Sequence, residues 1–320
     1  MSNFYDPTLN LNPDAQAEEN KLVNRALTKY PVPHFSGLKL QADIKLGNLV
    51  LNTIDNDDVI WVCTDIEGWW NFPDPEIPEL IRGWGDGSYD ARGRWAARLL
   101  TLRGAFLTQD PSQVPAARAK LIEAANLVYE GGWLVVNEGP QKGAFVRLSG
   151  RPEIATISPR GRTEFSIGLR AADPIKYEYV DGVEDGYRTE ILTPSASSKV
   201  ITNTGNTPVP IVIEISKGFT VASQTNPPTL TNSTTDQEMR IIGGTTATNQ
   251  LEIDTYNREV LDVEYDDENP TQVVNVENGR AKMAVLSEWI YLNPGPNTLA
   301  ITNFPAGSSC TIYYRSGWIG

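Results

Sequence analysis

The sequence predicts a mainly β protein with one helix, built as an amino-terminal β-domain followed by a β-sandwich. Three observations carry this expectation. Apolar and polar residues alternate with the two-residue period of half-buried strands. A convincing helical stripe occurs once, over residues 112–129. Through the second half, turn signals separate short apolar runs, the cadence of a sandwich whose faces alternate in and out.

Residues 1–33 form an arm. Asn12-Pro-Asp14 can start a helix there, with Leu22, Ala26 and Leu27 as a thin apolar stripe before Tyr30-Pro-Val-Pro33 stops it. So narrow a stripe suits a segment lying on a neighbour. The β-domain is assigned to residues 34–175. It opens with Leu38, Leu40, Ala42, Ile44 and Leu46 alternating with Lys39, Gln41, Asp43 and Lys45. Val59 to Cys63 is a second strand after the acidic turn Asn56-Asp-Asp58. Trp69 to Gly93 is irregular and rich in Trp, Gly, Pro and Asp, and Trp95 to Leu107 returns to strand.

The helix over 112–129 is capped by Asp110-Pro-Ser112 and apolar at Val114, Ala117, Leu121, Ala124 and Val128. Gly131-Gly132 ends it. Strands follow at Trp133–Asn137, Ala144–Leu148, Glu153–Ile157 and Thr163–Ala171, and Asp173-Pro174 punctuates the chain.

Residues 176–320 form the sandwich domain. Strands are expected at Val200–Thr202, Ile211–Ile215, Met239–Ile242, Leu251–Ile253, Val260–Val263 and Ala281–Val285. Ser195–Ser198 and Thr229–Thr235 are expected as loops or linker. Trp289 to Leu292 is a strand, and Pro294-Gly295 suits the two centres of a type II turn. Thr298 to Ile301 and Cys310 to Ile319 complete a strand, loop, strand ending that closes a sheet.

The chain has 320 residues, enough for two domains that each bury a core. Lys and Arg number 27 against 40 Asp and Glu, a formal net charge of −13. Such a surface repels phosphates and anionic lipid, which argues against nucleic acid and membrane partners. Cys63 and Cys310 stand far apart without a CxxC, so neither a disulfide framework nor a zinc knuckle is indicated. With no signal peptide and no membrane-length apolar window, a soluble protein made in a reducing cytoplasm is expected.

Little here resembles chemistry. His34, the single histidine, has no nucleophile elbow to serve and is expected to be structural or exposed. Asp55-Asn-Asp-Asp58 and Asp266-Asp-Glu-Asn269 lack the alternating ligands and glycine hinge of a calcium loop, so both are expected as solvated turns. No catalytic residue, cofactor or metal is assigned. The informative group is aromatic: Trp69, Trp70, Phe72, Trp84, Tyr89 and Trp95, interleaved with Arg82, Arg92, Arg94 and Arg98. It is either a loop pinned to its own barrel, an intersubunit seam or a sugar-stacking surface. For the seam, the candidate interface residues are Trp69, Trp70, Trp84, Tyr89, Arg92 and Arg94.

The segment Gly85 to Tyr89 and Gly93-Arg94, the strand Ala97 to Phe106, the helix, and Phe165 to Pro174 follow one another in that order. After them come Asn203-Thr-Gly205, Leu251 to Asp254, Trp289 to Ile301 and Tyr313 to Trp318. In this succession the chain after residue 35 resembles a siphophage distal tail protein, the hub component of a long non-contractile tail. The resemblance implies a tail-tube-like split β-barrel and a galectin- or jelly-roll-like sandwich. It further implies a six-fold homo-oligomeric ring in the virion, assembled in the bacterial host cytoplasm. That ring would contact the tail tube protein on one side and tip and fibre proteins on the other. Two rival readings are a carbohydrate-binding module using Trp289, Trp318 or Trp69, and a polymer hydrolase resting only on acid abundance.

Overall fold

The computed structural model describes residues 44–320 apart from 83, 85, 87, 90–92, 109, 156–161, 181–185 and 270. The expected arm over 1–33, His34 and the first residues of the alternating run from Leu38 lie outside the described residues. The class is mainly β, as expected. Two compact units are present: residues up to Lys176 together with Ile319–Gly320, and Tyr177–Trp318.

The first unit contains β1 (Ile44–Leu46), β2 (Leu49–Leu51), β3 (Thr53–Ile54), β4 (Ile60–Glu67), β5 (Pro75–Glu76), β6 (Leu80–Ile81), β7 (Ser88–Tyr89), β8 (Arg94–Trp95) and β9 (Arg98–Leu107). After α1 (Val114–Leu127) come β10 (Gly132–Asn137), β11 (Gln141–Leu148), β12 (Glu153–Ile154) and β13 (Arg162–Ala171). The main sheet runs β2-β1-β10-β11-β13-β9-β4-β3, so its described path stays open rather than closing into a barrel. Its longest ladder pairs β13 with β9 from Arg162↔Leu107 to Ala171↔Arg98. A bulge in β4 between Cys63 and Asp65 shifts the register against β9.

Helix α1 covers the inner face with Val114, Ala117, Leu121, Ala124 and Ala125. They pack in one core with Leu46, Leu51, Trp61, Leu102, Phe106, Leu134 and Ile167. The expected cap serves a different element. Asp110 accepts the Ser112 N–H at 2.9 Å and so caps a short 3₁₀ turn, Pro111–Gln113, from which α1 starts without a side-chain cap.

The second unit holds β14 (Lys176–Glu178, its last two residues in this unit), β15 (Arg188–Leu192), β16 (Ser198–Asn203), β17 (Val209–Ile215), β18 (Thr229–Asn232), β19 (Gln237–Arg240) and β20 (Asn249–Asp254). Then follow β21 (Glu259–Tyr265), β22 (Val273–Asn278), β23 (Tyr291–Leu292), β24 (Gly295–Thr302), β25 (Cys310–Tyr314) and β26 (Gly317–Trp318). One sheet runs β15-β25-β17-β20-β21-β22 and the other β16-β24-β18-β19. Alternate residues are buried, such as Val209, Ile211, Ile213 and Ile215 on β17, with Asn297, Leu299 and Ile301 on β24.

Two local expectations fail. Thr229–Asn232 is strand β18 rather than loop, because Leu230 and Asn232 face the core and Asn232 Nδ2 donates to the Tyr291 carbonyl at 2.9 Å. Ala281–Val285 is no strand. It starts in a 3₁₀ turn, Arg280–Lys282, and only Met283 forms a bridge, to Ile241.

The Asn293 to Asn297 turn carries the chain from β23, paired with β17, to β24 in the other sheet, and does so without the usual bond. Gly295 takes φ +93°, as the second centre of a type II turn requires. Pro296, at the fourth position, has no N–H to give back to Asn293. The buried Asn297 amide replaces it, donating to the carbonyls of Asn293 (2.7 Å) and Gly295 (2.9 Å) and accepting the Asn293 N–H (2.9 Å).

Asn203-Thr-Gly205 has an equally specific task. Asn203 Oδ1 accepts the N–H groups of Gly205 (2.9 Å) and Gly317 (3.3 Å), and Thr204 bonds Ser316 Oγ through both its N–H and its hydroxyl. A Cβ on Gly205 would lie 1.8 Å from the Gly317 carbonyl oxygen. Gly205→Ala should therefore force β26 off its seat, lowering unfolding stability by the upper end of the ~1–3 kcal/mol typical of overpacking. Denaturant titration checks this, and a loss under ~0.5 kcal/mol would show that the approach is not needed.

Candidate interaction site: the 70–97 hairpin

Between β4 and β9 the chain leaves the sheet as a long ribbon. Pro75↔Trp95 and Glu76↔Arg94 form its lower rungs, and Leu80↔Tyr89 and Ile81↔Ser88 its upper ones. The segment expected to be irregular is thus a β-hairpin. A two-stranded ribbon offers both faces to solvent and is marginal alone in water. Here it shows Phe72, Ile77, Ile81, Trp84 and Tyr89, with Ile81 80% and Trp84 97% exposed. Stray exposed apolar residues are ordinary, but a run of them on one ribbon marks a contact surface.

The candidate residues divide into root and ribbon. Trp69 is fully buried and belongs to the core, so it offers no surface to a partner. Its indole donates to Glu138 Oε1 at 2.6 Å. Trp70 is partly exposed beside it. On the ribbon, Arg94 pairs with Glu76 at 2.9 Å, Arg82 sits 5.5 Å from the Tyr89 ring centroid, and Phe72 meets Trp95 at 5.8 Å. Trp84 stands at the tip. Arg92 lies outside the described residues.

The root is held by charges buried in the first unit. Arg98, 2% exposed, aims Nη1 at the carbonyls of Gly68 (2.9 Å), Trp69 (3.3 Å) and Asn71 (2.6 Å). Its Nε and Nη2 both reach the Pro174 carbonyl, at 3.1 and 3.0 Å. Lys176 donates to the Trp69 carbonyl at 3.1 Å and lies 3.5 Å from Glu138, with its ammonium 4.9 Å from the Trp69 ring. Lys142 completes the set at 2.7 Å from Glu138. Burial opposes the Glu138 charge, but the Lys142 bond, the Lys176 charge and the Trp69 bond outweigh it and keep the carboxyl below its ordinary pKa. For Lys176 burial wins over Glu138, and its pKa falls to about 8.

The other sequence candidates hold turns. Asp55 accepts the Asp57 and Val59 N–H groups, each at 3.0 Å, and its second oxygen takes the Trp61 indole and Lys120. Asp266 accepts the N–H groups of Glu268 and Asn269. Among the described residues no group of three or more His, Cys, Asp or Glu is arranged to hold a metal ion. Both cysteines are buried, and burial pushes their thiols up to about 12. Of the three tryptophans of the sugar-stacking reading, Trp69 is buried and Trp289 carries the Arg280 guanidinium 5.6 Å from its centroid. Sequence reading missed Glu138 and Lys176, which look like ordinary surface charges in the chain. Ile77 and Ile81 were legible only as apolar residues that fit no strand period.

Residues 204–318 match the family model of the siphovirus-type tail component, C-terminal domain. Among solved structures, the chain is similar to the crystal structure of SPP1 Dit (gp 19.1), called a paradigm of the hub adsorption apparatus in phages infecting Gram-positive bacteria. That likeness has 14% identity and a TM-score of 0.53, over 86% of this chain and 98% of that one. The phage P2 baseplate, in its activated conformation with Ca and with Sr, aligns over the same shares at 10% identity. The TM-scores there are 0.39 and 0.38. No curated protein matches the chain. The match of residues 204–318 to that family model and the fold shared with SPP1 Dit agree with the resemblance read from the sequence.

Lys176 gives a pH test of the root. Its folded pKa near 8 lies below the 10.5 of the free side chain, so between those values the unfolded chain binds the extra proton. Its contribution therefore becomes more stabilising as pH rises from about 8 to about 10.5. The stability difference between wild type and Lys176→Met should widen in favour of wild type over that window, measured by denaturant unfolding. A pH-independent difference would mean that the ammonium is not buried as described.

Proposed function

We propose that this chain closes into a homo-oligomeric ring at the distal end of a long non-contractile phage tail. The ring joins the tail tube to tip and fibre proteins and leaves a central channel for DNA. The observation that carries this reading is the hairpin: a ribbon rooted in its own unit by Arg98 that exposes Phe72, Ile77, Ile81, Trp84 and Tyr89. Rings close through heterologous contacts, in which one protomer's projection meets a different face of the next. A tip Trp with flanking Ile and Arg side chains has the composition of such an anchor. Six-fold closure follows from the family resemblance.

The charge suits the channel. A net −13 surface does not hold duplex phosphates by counterion release, so DNA passes without being retained. The role is structural rather than catalytic. Trp61, Trp69 and the buried charges serve the fold, and the tail-component family points the same way.

Sedimentation velocity and negative-stain microscopy test the proposal. Wild type should form a ring, and Ile81→Ser with Trp84→Ser should weaken association by at least ~10-fold, the loss of an anchor worth ~1.4 kcal/mol or more. Because both side chains are exposed, the unfolding midpoint should not move. A wild-type monomer both alone and with the tail tube protein would overturn the ring. A ring unchanged by the double substitution would remove the hairpin from it.

A further inference from the structure

The sandwich unit ends its larger sheet on β22, Val273-Val-Asn-Val-Glu-Asn278, and all six of its residues are exposed. Only one side of β22 is paired: it meets β21 from Leu261↔Asn278 to Tyr265↔Val273. Among the described residues no strand occupies the other side, so its outward N–H and C=O groups form an open row. Such an edge templates pairing with another chain unless charge, proline or a cover blocks it.

The other edges of the sandwich are blocked. On β15, Arg188 pairs with Glu178 and Glu190 with Lys199 of β16, and on β19 Arg240 pairs with Glu238. Strand β22 has no Lys, Arg or Pro. Val273, Val274 and Val276 point valine methyls into solvent on both faces, between 49% and 59% exposed. β-branched residues on a free edge favour strand pairing.

Charge says what could pair there. Glu259 and Glu264 on β21, Asp266, Asp267 and Glu268 in the following turn, and Glu277 on β22 surround the edge. Among the described residues none of these six is in an ion pair. Of the nearby cations, Lys282 is engaged with Asp262, Lys217 lies 3.8 Å from the Tyr265 ring centroid and Arg280 5.6 Å from the Trp289 centroid, and Arg258 precedes Glu259 in the turn before β21, so carboxylates outnumber cations around the edge. On the next strand, burial and then Glu214, Asp254 and Glu259 hold the Glu252 carboxyl above its ordinary pKa, as crowded negative charge would. A second copy meeting edge to edge would bring the same carboxylates to the seam and repel.

From this geometry we infer that β22 is a docking edge for an extended segment of a partner protein in which basic and apolar residues alternate. The segment adds to the sheet as a further strand, its main chain satisfying the open row, its apolar side chains covering the valines and its cations meeting the acidic rim. This does not rest on the ring proposal, since the edge lies wholly within the sandwich unit.

The test uses the full chain and three synthetic dodecapeptides. One alternates Lys and Val, one alternates Glu and Val, and one is the Lys-Val peptide with every second amide N-methylated. Fluorescence anisotropy should show the Lys-Val peptide binding at least 10-fold tighter than the other two. Raising salt from 0.05 to 0.5 M should weaken it by at least 10-fold, since the acidic rim is solvent-exposed. Hydrogen exchange should slow at residues 273–278. Val274→Lys with Val276→Lys should abolish both effects while the chain stays folded. Equal binding of the N-methylated peptide would reduce the effect to polycation attraction and overturn strand addition. Equal binding of the Glu-Val peptide would overturn the basic partner. Self-association of the wild type that the lysine variant abolishes would assign the edge to a second copy instead.

Discussion

The Arg98 guanidinium, sunk in the first unit, gathers the carbonyls of Gly68, Trp69, Asn71 and Pro174. Those oxygens lie where the chain leaves the sheet for the hairpin and where it leaves β13. A planar fork with five donors can bridge two such strands of backbone; a single ammonium cannot span them. Backbone carbonyls in irregular segments must be satisfied if they are buried, and one residue does so for both departures. The orientation of an exposed ribbon is therefore set by a charge in the interior. Glu138, tied to the Trp69 indole, Lys142 and Lys176, balances that charge and keeps the cluster from being an isolated cation in low dielectric.

The second unit meets the same demand with neutral groups. Asn203, Asn232 and Asn297 are fully buried, and each spends its amide on main chain in turns and at the ends of short strands. Asn297 substitutes for the N–H that Pro296 lacks, and Asn203 seats Gly205 against Gly317. These residues let a sandwich of short strands end its ladders sharply. That economy leaves the edges as the variable part, and the edges differ: β15, β16 and β19 are charged and paired, while β22 is bare and ringed by acid.

Much of this was readable from the chain. The two-residue alternation located β9, β13, β17 and β20 because each buries one face, and the Val114 to Ala124 stripe located α1. What escaped notice follows a pattern. Thr229 to Asn232 reads as a polar tract because its buried members include an amide whose partners are distant in sequence. Trp69 reads as part of a surface aromatic run because nothing local reveals that Glu138 lies under it. The hairpin itself reads as irregular because its rungs are held by backbone register and its root by Arg98, not by a hydrophobic period. Local patterns report burial on one face. They are silent on polar groups satisfied across long separations.

An interior charge fixes an exterior contact, so Arg98→Met is the decisive variant, read by hydrogen exchange over residues 68–97 alongside sedimentation. In this variant hairpin amides should lose protection and the ring should fail at concentrations where wild type is assembled, while exchange in residues 177–318 is unchanged. An intact ring with a fully protected hairpin in this variant would contradict it.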